Sequence, residues 1–279
     1  MLESEFAALV RRNVTISFDE DIYTGDLSAQ LLPATLAASA RIITRQDAVL
    51  CGTPWFDECF RILDPNCEIN WLFKDGDRIF EGQTLCKVKG NARALLGAER
   101  SALNFLQTLS GTATRTRQHV DAVDGIDVKI MDTRKTLPGL RQAQKYAVRV
   151  GGGHNQRIGL FDGILIKENH IAAAGGIKPV LEQAFRLAKP GTSVQIEVES
   201  LEQLDEALAA GAELILLDNF DLDNLRAAVQ HTGKRAELEA SGGITLENLR
   251  DIALTGVGRI SIGSLTKDVQ TIDFSMRFA

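Results

Sequence analysis

The sequence predicts an α/β protein with two domains, the second of which is a parallel (β/α) barrel with about six recognisable strands. In the second half of the chain, short apolar runs alternate with amphipathic segments of helical spacing, a pattern typical of repeated strand–helix units. Each apolar run ends in a polar or glycine-containing cluster, and in a barrel such strand ends converge on one face. The glycines of Gly151–Gly153 follow a helix-like segment instead of a strand, which disfavours a doubly wound nucleotide-binding sheet.

Composition excludes several classes of protein. With 279 residues the chain is long enough for one or two domains, and its 44% hydrophobic and 24% charged residues are typical of a soluble globular enzyme. A net charge of −6 disfavours a nucleic-acid partner. No apolar run reaches about 18 residues and the start of the chain lacks a signal-peptide pattern, so we expect a cytoplasmic protein without a membrane partner. The cysteines contain no C-x-x-C pair, and we expect reduced thiols at Cys51, Cys59, Cys67 and Cys86.

The first hundred residues predict a smaller, partly β-structured domain. Residues 67–96 alternate apolar and polar side chains and are interrupted by the turn-forming pairs Asp75-Gly76 and Glu81-Gly82, which predicts short strands and hairpins. Residues 98–117 have leucines at helical spacing and predict a helix that leads into the second domain.

The predicted barrel strands follow in order, separated by helical patterns such as KPVLEQAFRLAK and TLENLRDIALT. Repeated strand–helix units of this kind predict a parallel sheet with buried strands. The six runs are residues 128–133, 163–169, 194–200, 213–219, 237–243 and 259–264.

Two glycine-containing loops at the ends of the last strands predict a phosphate site. Ser241, Gly242 and Gly243 precede a helix expected to start near Thr245, and Ile262, Gly263 and Ser264 end the next strand. Glycine lets backbone N–H groups approach an anion closely, and consecutive late strand–helix loops are the usual phosphate site of a barrel. The alternative is that these glycines only turn the chain.

Charged residues cluster at the other strand ends. From Lys129 to His170 the chain has eight Lys or Arg and three Asp or Glu, a local balance of +5 in a chain of −6, which indicates a small, highly charged anion as the target. Glu197 and Glu199 share one side of their strand. A cationic wall opposite carboxylates suits an anionic substrate whose reaction centre becomes positive. The alternatives are solvated loop residues, or a Schiff base on Lys135 or Lys167, which the additional arginines disfavour.

The chain resembles the quinolinate phosphoribosyltransferase family, the carboxylating nicotinate-nucleotide pyrophosphorylases of NAD biosynthesis. The resemblance covers nearly the whole chain and rests on ITRQDAVLCG, AERSALNFLQTLSGTAT, DTRKTLPGLRQAQKYAVRVGGG, DGILIKENHI, IEVESLEQLDEAL, LLDNF, EASGGI and SLTKDVQTIDFSMRF. It implies an N-terminal open-faced α/β sandwich (residues 1–112), an incomplete α/β barrel (113–265), and a tail (266–279) that returns to the first domain. It also implies a homodimer in which Arg100 enters the partner's site.

The resemblance implies a pentosyltransferase that transfers the phosphoribosyl group of phosphoribosyl pyrophosphate to quinolinate with decarboxylation. Arg134, Arg157 and Lys167, with Arg100 of the partner, would hold the two carboxylates. Lys135 would contact the pyrophosphate, and Glu197 and Asp218 would face the ribose and its Mg²⁺; these three are the catalytic candidates. The remaining substrate-binding candidates are Thr133, His154, Gln156, Ser241, Gly242, Gly243, Ile262, Gly263 and Ser264.

One departure from the family pattern affects the predicted site. Where the family usually has a histidine expected to contact quinolinate, this chain has Gln156, which donates hydrogen bonds but carries no charge. Three alternatives remain: a molybdenum-transport-associated paralogue, a nicotinate-type phosphoribosyltransferase, and a metabolite-binding regulator on an inactive barrel. The regulator would lack Lys135, Glu197 or Asp218, and all three are present.

Overall fold

The computed structural model describes residues 2–278 and divides into two compact units. The first unit comprises Met1–Arg117, Leu137–Gly151 and Asp268–Ala279, and the second comprises Gln118–Thr136 and Gly152–Lys267. In chain order the strands are β1 (Ala37–Thr44), β2 (Ala48–Val49), β3 (Glu68–Trp71), β4 (Arg78–Ile79), β5 (Thr84–Asn91), β6 (Lys129–Met131), β7 (Gly163–Ile166), β8 (Ser193–Val198), β9 (Leu214–Asp218), β10 (Glu237–Ser241), β11 (Arg259–Ser261) and β12 (Phe274–Phe278). The helices are α1 (Glu3–Asp21), α2 (Thr53–Leu63), α3 (Ala92–Ala122), α4 (Arg141–Val150), α5 (Glu168–Ala174), α6 (Ile177–Leu187), α7 (Leu201–Ala209), α8 (Leu222–Thr232), α9 (Leu246–Ala253) and α10 (Ser264–Lys267), with a short 3-10 turn at Ala29–Leu31.

The first unit is built on a four-stranded antiparallel sheet of order β12-β1-β5-β3. Its strands alternate in burial, so that one face carries exposed charges such as Arg41, Lys87 and Lys89. The opposite face contributes to a core with α1, α2 and α3, in which Trp55 and Phe56 of α2 are fully buried. This is the open-faced sandwich that the resemblance implies.

Residues 137–151 differ from the predicted domain boundaries. They were expected within the barrel segment 113–265, but they belong to the first unit. The apolar face of α4 supplies Ala143 and Ala147 to that unit's core, and the Tyr146 hydroxyl donates a 2.8 Å hydrogen bond to Asp75. An amphipathic pattern specifies which face of a helix is buried but not which core receives it, so this insertion could not be predicted from the pattern of α4.

The last segment of the chain also belongs to the first unit, from Asp268 onward. β12 pairs antiparallel with β1, and its side chains Phe274 and Met276 are buried. Gln107 of α3 donates a 3.2 Å hydrogen bond to the Phe274 carbonyl. Burial of these two side chains contributes about 3–6 kcal/mol to the first unit.

The second unit is an incomplete barrel of six parallel strands in the order β6-β11-β10-β9-β8-β7. All six predicted strands are present. A single parallel bridge between Met131 and His154 extends the sheet beyond β6. Apolar residues on the outward side of each strand form the unit's core with the helices, and they include Ile166, Ile196, Val198, Ile215, Leu217, Leu238, Ala240 and Ile260.

Strand alternation explains where the site lies. Because successive side chains point to opposite faces, a strand that buries Ile196 and Val198 against the helices turns Gln195 and Glu197 to the barrel interior. The same rule places Leu216 and Asp218 of β9, and Glu239 and Ser241 of β10, on the inner face.

The cysteines carry no disulfide among the described residues. Burial raises the pKa of the Cys67 thiol to about 11 and raises the pKa of Cys51, Cys59 and Cys86 further, which keeps these thiols protonated. Within residues 2–278 no helix has the length and apolar character needed to cross a membrane.

Candidate active site

A cavity of about 310 Å³ opens at the carboxyl ends of the barrel strands. This volume is within the usual range for a site that binds a small molecule. Twelve side chains line it: Thr133, Arg134, Lys135, Gln156, Arg157, Leu165, Lys167, Glu197, Leu216, Glu239, Ser241 and Ser261. Eight of these are predicted site residues, so the structure brings half of the predicted set around one cavity.

Two arginines form a cationic side of the cavity. Burial lowers the pKa of the Arg157 guanidinium, and the neighbouring Arg134 lowers it further. The Nε of Arg134 is buried without a hydrogen-bond partner among residues 2–278, whereas Nη1 of Arg157 donates to the Gly163 carbonyl at 3.0 Å. An anion bound beside Arg157 would offset both the burial of its guanidinium group and its repulsion by Arg134.

A lysine and a glutamate meet across two adjacent strands. Nζ of Lys167, just after β7, lies 2.6 Å from Oε2 of Glu197 on β8. Glu197 is 9% exposed and is turned into the cavity by the alternation of β8. The pair therefore fixes a carboxylate and a cation in direct contact at the cavity wall.

Lys135 stands on a loop held by backbone hydrogen bonds. Its N–H donates to Thr133 Oγ1 at 3.0 Å, and its carbonyl accepts from Thr266 Oγ1 at 2.8 Å. A Cβ at Gly263 would lie 2.9 Å from the Lys135 Cδ, so the glycine provides room for the lysine side chain. The exposed ammonium group is thus carried by a fixed backbone.

The loop after β10 depends on glycine. Gly242 has a φ of +96°, and a Cβ there would lie 2.0 Å from Asn219 Oδ1 and 3.0 Å from the Asn219 backbone nitrogen. Gly243 has a φ of +59°, with open space around it. The Asn248 amide donates to the Gly243 carbonyl at 3.0 Å, and Thr245 is the N-cap of α9, so the loop leads directly to a helix N-terminus.

Substituting the two glycines separately is expected to distinguish close approach from backbone strain. Gly243→Ala costs about 1–2 kcal/mol because alanine is strained at positive φ. Gly242→Ala costs about 1–3 kcal/mol more, since the Asn219 backbone cannot move away as a side chain can. Urea denaturation of both variants measures the difference. Equal destabilisation of the two variants would contradict the close approach.

At the base of the cavity lies a buried network that the sequence did not single out. Glu239, with 0% exposure, accepts hydrogen bonds from the side-chain amides of Gln156 and Gln195 and from the Ser261 hydroxyl. Burial raises the pKa of Glu239, and these three hydrogen bonds oppose the increase. The alternation of β10 could have identified Glu239, because it shares the inner face with Ser241.

Asp132 has a structural role that its position at a strand end did not reveal. It is fully buried, and its carboxylate accepts from the Gln156 N–H at 2.8 Å and from Asn155 Nδ2 at 2.6 Å. Its backbone N–H donates to the His154 carbonyl at 3.0 Å. Asp132 therefore holds residues 154–156 against the end of β6.

The other predicted residues lie outside the lining of this cavity. Asp218 ends β9 and accepts from the Asn219 amide at 2.9 Å; burial raises its pKa, Lys167 lowers it and Glu199 raises it. His154 is exposed and forms the backbone bridge to Met131. Arg100 is exposed on α3 in the first unit. The remaining ones belong to the two glycine-containing loops: Gly242, Gly243, buried Ile262, Gly263 and Ser264.

Comparison with known proteins shows the family to which the chain belongs. The family model for the C-terminal domain of quinolinate phosphoribosyl transferase matches residues 112–277, and that for the N-terminal domain matches residues 21–110. A probable nicotinate-nucleotide pyrophosphorylase [carboxylating] of Bacillus subtilis is 45% identical over 93% of this chain and 90% of its own length. The Mycobacterium leprae nicotinate-nucleotide pyrophosphorylase [carboxylating] is 43% identical over 98% of both chains.

A solved structure extends the likeness to the backbone. The nicotinate-nucleotide pyrophosphorylase from Francisella tularensis superposes with a TM-score of 0.95 at 44% identity, covering 98% of this chain and 97% of that one. The two family models together match both domains of the chain. The chain belongs to the quinolinate phosphoribosyltransferase family.

Proposed function

We propose that the protein transfers the phosphoribosyl group of phosphoribosyl pyrophosphate to the nitrogen of quinolinate and releases pyrophosphate and CO2, which gives nicotinate mononucleotide. The observation that carries the proposal is the charge of the cavity lining. Its cations are Arg134, Lys135, Arg157 and Lys167, and its carboxylates are Glu197 and Glu239. The net charge of +2 complements the two carboxylates of quinolinate, whereas nicotinate has only one.

The arginines are suited to hold the dicarboxylate. A guanidinium group offers two parallel N–H donors to a carboxylate, which fixes both its position and its plane. Arg134 and Arg157 line the same cavity, so one aromatic diacid could engage both. Orientation of this kind accounts for much of the rate enhancement when two bound substrates react.

The carboxylates are suited to the sugar. As the bond to pyrophosphate breaks ahead of bond formation with nitrogen, the anomeric carbon and ring oxygen gain positive charge. Glu197, fixed by Lys167 at 2.6 Å, offers a preorganised negative charge at the cavity wall. Asp218 ends the adjacent strand β9. The nitrogen attacks directly, so no protein nucleophile is needed.

Decarboxylation then follows from the product of the first step. The bond to the 2-carboxylate breaks, its electron pair stays on the ring carbon, and the adjacent cationic nitrogen stabilises that carbanion before a proton replaces the lost CO2. The arginines hold the leaving carboxylate in place until this occurs. The protein contributes orientation and charge instead of a covalent intermediate.

Phosphoribosyl pyrophosphate would be held at three places. Lys135 would contact the pyrophosphate, and the Ser241–Gly243 and Ile262–Ser264 loops would bind the 5′-phosphate through backbone N–H groups. Mg²⁺ accompanies pyrophosphates and neutralises the charge of the leaving group. Residues 2–278 contain no group of three or more His, Cys, Asp or Glu arranged to hold a metal, which fits an ion that arrives with its phosphates and meets Glu197 and Asp218 indirectly.

The protein is proposed to act as a homodimer in which Arg100 completes the partner's site. Arg100→Ala subunits retain Glu197 and Glu197→Ala subunits retain Arg100, so mixing them gives hybrid dimers with one intact site. We expect each variant alone to lose most turnover and the mixture, after subunit exchange, to regain about a quarter of wild-type activity. Activity of the mixture that stays at the level of the single variants would contradict a contribution in trans.

The reaction is tested with purified protein, phosphoribosyl pyrophosphate and Mg²⁺, following release of CO2 and formation of nicotinate mononucleotide. We expect turnover with quinolinate and none with nicotinate, the control substrate. Turnover with nicotinate would instead indicate a nicotinate-type enzyme, and turnover with neither would indicate a paralogue with another role.

A further inference from the structure

The base of the cavity contains a ring of three hydrogen-bonded side chains. Gln156 Nε2 donates to both carboxylate oxygens of Glu239 at 2.5 Å and to Gln195 Oε1 at 3.3 Å. Gln195 Nε2 donates to Glu239 Oε2 at 3.1 Å and closes the ring. Each amide is thereby given one orientation, because reversing either would place an oxygen against the carboxylate.

This ring joins parts of the barrel that are distant in sequence. Gln195 lies on β8 and Glu239 on β10, whereas Gln156 follows the segment that bridges to β6. The backbone of Gln156 is held separately, through its N–H to Asp132 at 2.8 Å. Gln156 is therefore held at two points: Asp132 accepts from its backbone N–H, and Glu239 accepts from its side-chain amide.

Two observations indicate that the ring serves the cavity. Gln156 and Glu239 both line the cavity, next to Arg157 and Ser241. A buried carboxylate is also costly to keep, and apolar side chains of similar size would fill the same space without desolvating a charge. Glu239 nevertheless occupies this buried position, where three side chains donate hydrogen bonds to its carboxylate.

We propose that Glu239 is a positioning residue for quinolinate: its carboxylate holds the Gln156 amide in one orientation and so sets the surface that residue 156 presents to the bound dicarboxylate. This role rests on the proposed function. Glu239 itself acts through Gln156. The uncharged glutamine fits this arrangement because its N–H groups satisfy the carboxylate without adding a charge to the cavity.

The test compares Glu239→Gln with the double variant Gln156→Glu/Glu239→Gln, which exchanges the two members of the pair. Glu239→Gln removes a charged acceptor, and we expect a lower thermal midpoint and a KM for quinolinate raised at least about tenfold. The KM for phosphoribosyl pyrophosphate should change less than threefold. The exchange restores a carboxylate–amide pair, so the thermal midpoint should return toward wild type.

The KM for quinolinate should stay raised in the exchanged variant, because a carboxylate now occupies position 156 beside an anionic substrate. Return of both the thermal midpoint and this KM to wild-type values would show that the pair only supports the fold and would overturn the inference. If Glu239→Gln alone does not fold, Glu239→Asp keeps the charge but draws the carboxylate away from the Gln156 amide, and an unchanged KM for quinolinate in that variant would overturn the inference. Wild-type protein inactive on quinolinate would overturn the proposed function and the positioning role together, whereas an active wild type with an unchanged KM in the variants would overturn the positioning role alone.

Discussion

Lys135→Ala is expected to lower kcat/KM by about 10²–10³-fold while leaving the fold intact. The ammonium group is a preorganised positive charge at the place where the pyrophosphate would gain negative charge, and loss of one such group typically has an effect of this size. The fold should survive because the side chain is exposed and because both backbone hydrogen bonds, to Thr133 and from Thr266, remain in alanine.

Steady-state kinetics measures kcat/KM of the variant, and thermal unfolding of the same preparation measures its stability. Lys178→Ala is the matched control, since Lys178 is an exposed lysine on α6, outside the cavity lining. Its kcat/KM should remain within about twofold of wild type, and the unfolding free energy of both variants should change by about 0.5 kcal/mol or less. An unfolded Lys135→Ala variant would indicate that the lysine is structural.

Arg157→Ala is expected to raise the KM for quinolinate at least about 30-fold. Removing one partner of a hydrogen-bonded charge pair typically costs about 2–5 kcal/mol, and 1.4 kcal/mol corresponds to a factor of ten. Arg157→Lys, which keeps the charge but loses the two parallel donors, should give an intermediate KM. Kinetics at saturating phosphoribosyl pyrophosphate measure both values, and equal KM values for wild type and Arg157→Ala would exclude the arginine from the carboxylate site.

The stability of Arg157→Ala provides an independent check. The pKa of Arg157 is lowered in the folded protein by burial and by Arg134, which means that folding disfavours its charged form. Its removal relieves that repulsion but also loses the hydrogen bond to the Gly163 carbonyl. The unfolding free energy should therefore fall by no more than about 1 kcal/mol. A much larger loss would indicate a structural role for the guanidinium group.

Much of this molecule was predictable from the sequence. The six barrel strands fall in short runs rich in apolar residues. Because all six strands are parallel, Thr133, Lys167, Glu197 and Ser241 at their carboxyl ends line one cavity. The family, the barrel and the reaction class that the motifs implied are confirmed. The roles of individual site residues, the Mg²⁺ and the dimer stay predictions.

The features that the sequence did not predict depend on contacts between residues that are far apart in the chain. Glu239 occurs in an ordinary strand, and only the approach of Gln156 and Gln195 makes it the centre of a network. Asp132 is an aspartate at the end of a barrel strand, where a catalytic carboxylate is expected. Its two carboxylate oxygens instead accept hydrogen bonds from residues 155 and 156. Such roles are set by side-chain pairing across the barrel, which no local pattern records.

The discontinuous make-up of the first unit has a consequence for how the chain folds during synthesis. Residues 1–117 emerge from the ribosome before the barrel, but the edge strand β12 of their sheet emerges only after it. Until then β1 presents an unpaired edge, which is open to pairing with another chain. The barrel strands emerge in between, so the second unit can complete its sheet before the first one does. The first unit therefore starts before the barrel and is completed after it, and its sheet stays open to misassembly while the barrel is made.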